Sequence, residues 1–403
     1  MLDFGNSNIM EKRAAIYDPY LDTLGGGERY CLTVAEILLI AGWQVDLFWS
    51  GDENIIESAQ NRFSLALGGL HLIPDIFGLV PQFIDQIDGE LPREHFATSQ
   101  SPSPSLLKKI LSLKNKYQIL HRYDLLFYLS DGSFPFLFAK KNLFHVQVPF
   151  KNNGTNHPIL NKLIKSRLIY RIICNSSFTA SFINNDLKSK TSVIFPPVSV
   201  ANFEAAPQKL NQILSVGRFD NILNLKRQDL LIEVFAKFIR QNPATDWKLI
   251  LAGSSQSEQN CNHYLLHLRQ LAKSLPIEFS VNPDFPTLKN IYSQSKLYWH
   301  AAGYGIDESK NPEKAEHFGI SPVEAMASGV VPLLVKKGGL KEIITDGQDG
   351  FFWDTPDELL AKTQLLVSTK SDLSRLAQNA QKSSQRFSKE IFCQKLLELI
   401  NTP

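Results

Sequence analysis

The stretch Glu316-His317-Phe318-Gly319-Ile320-Ser321-Pro322-Val323-Glu324 places two carboxylates on either side of a Phe-Gly turn. Its second half reads as a helix start. Ser321 is a good N-cap, Pro322 suits the first helical position, and Glu324 stands where a capping-box glutamate belongs. Ala325, Met326 and Ala327 continue the helix, and Gly329 can end it. An apolar run from Val330 to Val335 follows, then Gly338-Gly339, then a second helical stretch from Leu340. The order is helix, strand, glycine turn, helix. Glu316 then lies in a loop beside the helix start. Both acids can face a cleft at the carboxyl end of a parallel sheet, where open α/β sheets bind ligands. Taken alone, Glu324 reads more readily as a capping residue and Glu316 as a solvated loop charge.

The alternation extends outward in both directions. Ala14 to Tyr17 is a short strand, and a loop leads from Asp18 to Gly25-Gly26-Gly27. From Glu28 to Ala41 apolar residues recur at helical spacing, with Cys31, Val34, Ala35, Leu38 and Leu39 on one face. Gly42 stops that helix, and Trp43 to Trp49 is the next strand. This βαβ unit brings backbone N–H groups and a helix N-terminus to one end of the sheet. A turn with positive φ accounts for one of the three glycines, less readily for all three. The pattern is not Gly-x-Gly-x-x-Gly, so a dinucleotide-dependent dehydrogenase is weakly supported. Further on, Ile213 to Gly217 is a strand ending in Arg218, and Lys226-Arg227-Gln228-Asp229 precedes an amphipathic helix. Trp247–Ala252, Ile277–Val281 and Leu297–His300 read as strands. Glu258–Leu275 and Thr287–Ser295 read as helices. Such alternation argues for parallel, doubly wound sheets.

Composition sets bounds. A chain of 403 residues exceeds one ordinary core, so two domains are expected. A net charge of +2 advertises no nucleic-acid partner. Cys31, Cys174, Cys261 and Cys393 have no metal or redox spacing. No signal peptide is visible, and the apolar stretch Leu125 to Ala139 is broken by Asp131, Gly132 and Pro135, so no membrane span is expected. A reducing cytosol fits.

As one piece, Glu316 to Gly350 resembles the donor-site signature of retaining glycosyltransferases with the GT-B fold. It is nearest to family 4 (glycosyl transferase group 1), and in motif to mannosyltransferases of the Glu-His-Phe-Gly-Ile kind. Gly-Gly-Gly-Glu-Arg at 25–29 resembles the first loop of the same enzymes. The resemblance is strongest over 210–355 and weakest over 50–125. It implies two Rossmann-like doubly wound domains facing a cleft: an acceptor domain over 1–205, a nucleotide-sugar domain over 206–385, and a C-terminal helix, 386–403, packing back on the first domain. It also implies roles. Glu316 orients the sugar, and Glu324 holds the ribose hydroxyls. Arg218 and Lys226 grip the diphosphate, with Arg227 able to stand in for Lys226 because the Phe219 to Leu225 loop is long. Gly26, Gly27, His317, Phe318, Gly319, Gly338 and Gly339 complete the nucleotide-sugar site. Many relatives carry a histidine two residues before a proline; here Gln147 holds that place, and His145 would share its strand face as a candidate acceptor or sugar contact. Asn175–Thr179 and Ile194–Val198 resemble the last strands of the first domain.

The implied reaction moves a hexose from GDP-mannose or a UDP-hexose to a hydroxyl of a glycan, a lipid-linked glycan or a small molecule. Cations and backbone N–H groups would stabilise the departing diphosphate. No Asp-x-Asp cluster stands in a donor position, so neither metal nor cofactor is called for. The basic amphipathic stretches at 106–116 and 161–171 fit either ordinary surface helices or peripheral contact with an anionic inner-membrane surface. Two other readings stay open: a sugar-nucleotide epimerase of the same fold, and an inactive relative serving as an interaction protein.

Overall fold

Parallel strands buried on both faces appear in a sequence as continuous apolar runs, and two sets of such runs build two sheets. The computed structural model describes residues 12–78, 106–149, 159–220, 225–255 and 263–402. The chain divides into two units. One comprises Met1–Val146, Asn152–Ile173 and Asn184–Ser192, the other Gln147–Lys151, Cys174–Ile183 and Val193–Pro403. The Ser-Pro-Ser-Pro stretch, part of the Phe219 to Leu225 loop and the first residues of the helix expected from Glu258 lie outside the described residues.

The first sheet contains β1 (Arg13–Tyr17), β2 (Gln44–Phe48), β3 (Leu70–Ile73), β4 (Leu125–Leu129), β5 (Lys141–Val146), β6 (Arg171–Cys174) and β7 (Thr191–Val193), in the order β3-β2-β1-β4-β5-β6-β7. β1 pairs in parallel with β2 and β4, so Ile16 sits between Leu47 and Phe127. The helices along this part of the chain are α1 (Gly26–Ile40), α2 (Ile55–Phe63), α3 (Leu106–Leu120), α4 (Ile159–Leu168) and α5 (Ser177–Ser181). Residues 177–181, expected near a strand, form α5 because Ser176 caps it: its Oγ accepts the Thr179 N–H at 3.0 Å.

The glycine triplet also differs from expectation. α1 begins at Gly26, two residues early, with Gly25 as N-cap. None of the three glycines has positive φ; Leu24 takes the left-handed conformation instead, at φ 44°. The Glu28 carboxylate closes the turn by accepting the Gly25 N–H at 2.5 Å and the Thr23 hydroxyl at 2.8 Å. Burial raises the pKa of Glu28.

The second unit contains β8 (Gln212–Val216), β9 (Lys248–Gly253), β10 (Ile277–Val281), β11 (Leu297–His300), β12 (Val331–Val335) and β13 (Phe351–Trp353), all parallel, in the order β10-β9-β8-β11-β12-β13. Its helices are α6 (Gln228–Gln241), α7 (His263–Leu271), α8 (Phe285–Gln294), α9 (Ile320–Ala327), α10 (Pro356–Ser368), α11 (Lys370–Ser384) and α12 (Lys389–Asn401). α6 buries Leu230, Leu231, Val234, Phe235 and Phe238 in this core, each worth roughly 1.5–3 kcal/mol when fully withdrawn from water. α12 opens at a Ser388 cap, and Phe387 before it packs on Phe195 and Phe318. The chain winds outward from β8 one way and from β11 the other. β8 and β11 are neighbours, with Leu297 opposite Ile213 and Tyr298 opposite Leu214. Their adjacent carboxyl ends form the switch point at which such sheets bind ligands.

One half-buried cation ties down the helices flanking that point. The Lys209 ammonium donates its three protons to the carbonyls of Ser293, Ser295 and Ser328, at 2.8–2.9 Å, joining the ends of α8 and α9. Lys209→Met strands these carbonyls. It is expected to cost about 2–4 kcal/mol, read by urea denaturation, since each unsatisfied buried polar group costs about 1–3 kcal/mol.

Candidate functional site

Three loops converge at the β8–β11 switch point. The segment after β8 carries Arg218 and Lys226, β11 ends in His300, and the long loop after it carries Glu316 just before α9. Lys226 Nζ lies 2.5 Å from Glu316 Oε2, with the two side chains 18 % and 13 % exposed. His300 Nε2 lies 3.1 Å from the same carboxylate oxygen. Burial alone would raise the Glu316 pKa. The Lys226 charge and the hydrogen bonds from His300 and Lys226 outweigh it and hold the carboxyl well below the usual range. His300 is buried, and burial pushes its pKa down even though Glu316 pulls the other way.

α9 starts two residues earlier than Ser321 as N-cap would put it. Gly319 is the N-cap, at φ 114°, and Ile320 is the first helical residue. Ser321 therefore lies inside the helix, and no capping box forms. Its Oγ instead lies 2.8 Å from Tyr298 Oη and 3.3 Å from the Val216 carbonyl. Glu324, almost fully buried, accepts a hydrogen bond from Tyr292 Oη at 3.1 Å.

The glycine pair has a steric reason. Gly338 has φ 54°, and a Cβ there would lie 2.1 Å from the Glu316 carbonyl oxygen. One at Gly339 would come equally close to the carbonyl of His317. Gly339 N–H donates to the Glu316 carbonyl at 2.8 Å. The pair thus seats the loop that carries Glu316. It does so in a 3₁₀ turn, Gly338–Glu342, rather than at the head of the expected longer helix. Glu308 accepts the Gly338 N–H and pairs with Lys341 at 2.9 Å.

Of the residues expected at the site, the structure gathers Lys226, Glu316, His317, Gly338 and Gly339 in one place. Glu324 is one helix turn into α9. Arg218 follows β8, with its half-exposed side chain 3.4 Å from Asp220. Arg227 is the left-handed N-cap of α6, and its guanidinium pairs with Asp229 at 3.1 Å, whereas Lys226 pairs with Glu316. His317 Nε2 lies 3.1 Å from the Glu313 carbonyl. The Phe318 side chain is a core residue, stacked on Phe195. Gly26 and Gly27 are the first residues of α1 in the first unit. His145 lies in the core of that unit, stacked on Tyr30 at 4.0 Å, its Nδ1 3.0 Å from the Ile173 carbonyl. Burial pushes its pKa down to about 3. Gln147 falls just beyond β5, and its carbonyl accepts from Asn175 at 3.0 Å.

Sequence reading missed His300, Tyr298 and Tyr292. His300 occupies the carboxyl end of an apolar strand, a position that marks ligand-facing residues in this architecture, and Tyr298 lies two residues before it on the same strand.

Two parallel α/β sheets, of seven and six strands, match the GT-B fold. Comparison of the whole fold agrees. The fold superposes on a glycosyltransferase from Rickettsia africae with a TM-score of 0.66 at 16% identity, covering 97% of this chain and 98% of that one. It superposes on the Anabaena protein HepE in complex with UDP and glucose with a TM-score of 0.63 at 18% identity, covering 96% and 99%. Residues 201–383 match the family model described as "Glycosyl transferases group 1". It is 30% identical over 269 residues to the GDP-Man:Man(3)GlcNAc(2)-PP-Dol alpha-1,2-mannosyltransferase of Xenopus laevis, covering 59% of this chain and 52% of that protein. The chain spans about half the length of the curated relatives it matches.

Two outcomes test this geometry. Glu324→Gln keeps shape and removes charge; nucleotide-sugar binding should weaken by about 1.5–3 kcal/mol, the range for a hydrogen bond to a charged group, with the fold intact by circular dichroism. A loss of stability at unchanged affinity would make Glu324 purely structural. The second concerns acid. Glu316 titrates lower in the folded state than unfolded, so it stabilises the protein fully above its unfolded pKa of about 4.3. That contribution is lost as pH falls below this value toward the folded pKa. The stability gap between the protein and Glu316→Gln should be widest at neutral pH and narrow on acidification through about pH 4, in urea titrations at each pH.

Proposed function

We propose that the protein transfers a hexose, with retention of anomeric configuration, from a nucleotide sugar to a hydroxyl of a glycan or lipid-linked glycan. The Lys226–Glu316–His300 cluster at the switch point carries the reading. A nucleotide sugar reacts by loss of a diphosphate, which gains negative charge as the bond to the sugar breaks. Arg218 and Lys226 stabilise that charge, and they do so most where it is greatest. Glu316, kept ionised, faces the sugar and favours the positive charge that develops at its anomeric carbon. Glu324, steadied by Tyr292, fixes the nucleotide by its ribose hydroxyls. The departing phosphate takes the acceptor proton, so the reading needs no separate base, no cofactor and no metal.

GDP-mannose is the donor we favour. The relatives matched by sequence are named for GDP-mannose, while HepE, bound to UDP and glucose, shares the fold at low identity. The acceptor belongs to the first unit and is proposed to be lipid-linked. Among the described residues no helix is long and apolar enough to cross a membrane. α3 exposes Leu111, Leu113 and Tyr117 beside Lys114, which suits peripheral attachment to the cytoplasmic face of a membrane.

The test is a thermal-shift screen of GDP-, UDP- and ADP-sugars, since a tightly bound donor raises the melting temperature, followed by assay of nucleotide release with and without acceptor. Conversion of the sugar without acceptor would mean an epimerase instead. No donor binding and no turnover would mean an interaction protein. Arg218→Ala and Lys226→Ala should each lower kcat by roughly 100-fold or more, comparable to losing one preorganised electrostatic donor. Arg227→Ala, which breaks the Asp229 pair and the cation–π contact with Tyr304 but leaves Lys226 and Glu316 paired, should change it little. A fall confined to KM would assign these cations to ground-state binding.

A further inference from the structure

His300 makes two polar contacts from a fully buried ring. Nε2 meets Glu316 at 3.1 Å, and Nδ1 lies 3.3 Å from Tyr298 Oη. An ionised carboxylate can only accept, so Nε2 carries a proton. Burial disfavours a second proton, so Nδ1 is left as acceptor for the Tyr298 hydroxyl. Tyr298 is itself fully buried and lies 2.8 Å from Ser321 Oγ at the start of α9. A polar chain therefore runs from the first turn of α9 through Tyr298 and His300 to Glu316. The other partner of Glu316 is Lys226, and its ammonium is also the group that a diphosphate would attract.

We propose that His300 is a positioning residue for Glu316, holding the carboxylate ionised and in place when the donor diphosphate draws Lys226 away. The assignment rests on the glycosyl-transfer reading above. Lys226 answers to whatever anion is present, whereas the imidazole is locked by Tyr298 and by burial between strands, so it cannot follow the diphosphate. The charged and titratable groups around Glu316 are Lys226 from the loop before α6, His300 at the end of β11, Tyr298 behind it on the same strand, and His317 next to Glu316 in the chain. Of the two recorded as bonding the carboxylate directly, Lys226 and His300, His300 is the one that joins it to the strand.

The experiment compares His300→Phe, which keeps bulk and removes the donor, with His300→Gln, whose amide can place an N–H where Nε2 stood. His300→Phe should lower kcat about 10- to 100-fold, the scale of a hydrogen bond to a charged group, with the Kd for the nucleoside diphosphate unchanged within about twofold. The acid limb of its kcat/KM profile should move to higher pH, because Glu316 loses a bond that favours its charged form. His300→Gln should recover most of the rate. Equal losses in both variants, or an unmoved acid limb in His300→Phe, would overturn the assignment. Long-range ¹⁵N spectra of the unmodified protein give a readout without turnover. A neutral His300 protonated on Nε2, unchanged by nucleoside diphosphate, supports the role; a proton on Nδ1 overturns it. An Nε2–H tautomer in a protein that turns over no nucleotide sugar would leave the positioning geometry standing and refute the glycosyl-transfer reading alone.

Discussion

A carboxylate withdrawn from water and kept charged needs compensating partners, since the effective penalty of burying an ion is several kcal/mol. Glu316 meets that requirement with Lys226 and His300, and much of the second unit serves to bring the three together. The adjacency of β8 and β11 sets the loop bearing Lys226 beside the strand end bearing His300. Gly338 and Gly339 leave room for the loop bearing Glu316 to lie against the next turn. Lys209 ties α8 to α9, so Tyr292 and Glu324 stay opposed one layer away. Remove the strand order, and none of these residues would meet.

Much of this was legible because it is periodic or punctuated. The strands around Ile16, Leu214 and Leu333 are apolar runs, the second closed by Gly217 and the third lying between Gly329 and Gly338. The amphipathic α6 shows its buried face in the spacing of Leu230, Val234 and Phe238. What escaped depended on dihedral angles. The sequence around Ser321 satisfies every rule for a cap, yet Gly319 takes the left-handed conformation that only glycine adopts cheaply, and the helix starts two residues sooner. Likewise the glycine triplet at the start of α1 allowed one turn residue with positive φ, and Leu24 holds it instead. In both places one residue's conformation moves the helix start and changes which side chain faces which partner.

Side-chain destination was the harder question. His145 and His300 both close an apolar strand run, and both are buried with one ring nitrogen facing a fixed acceptor. The difference is the acceptor: a backbone carbonyl in one case, a carboxylate in the other. Nothing local to either strand discloses it, because the carboxylate arrives from a loop sixteen residues downstream. Phe318 makes the same point in reverse, since its place inside a motif of polar and glycine residues hides a ring that fills the core.

Glu342 has a different bearing. Its two carboxylate oxygens accept the N–H groups of Ser177 and Phe178, each at 2.8 Å, fastening α5 to the turn that follows the glycine pair. The segment so fastened, Cys174–Ile183, belongs with the second unit although the chain on both sides of it belongs with the first. No single cut in the polypeptide therefore separates the halves cleanly. Hybrid proteins that splice the first unit of one homologue to the second of another must exchange α5 along with the distant loop that caps it, or leave a helix end with no carboxylate to receive it.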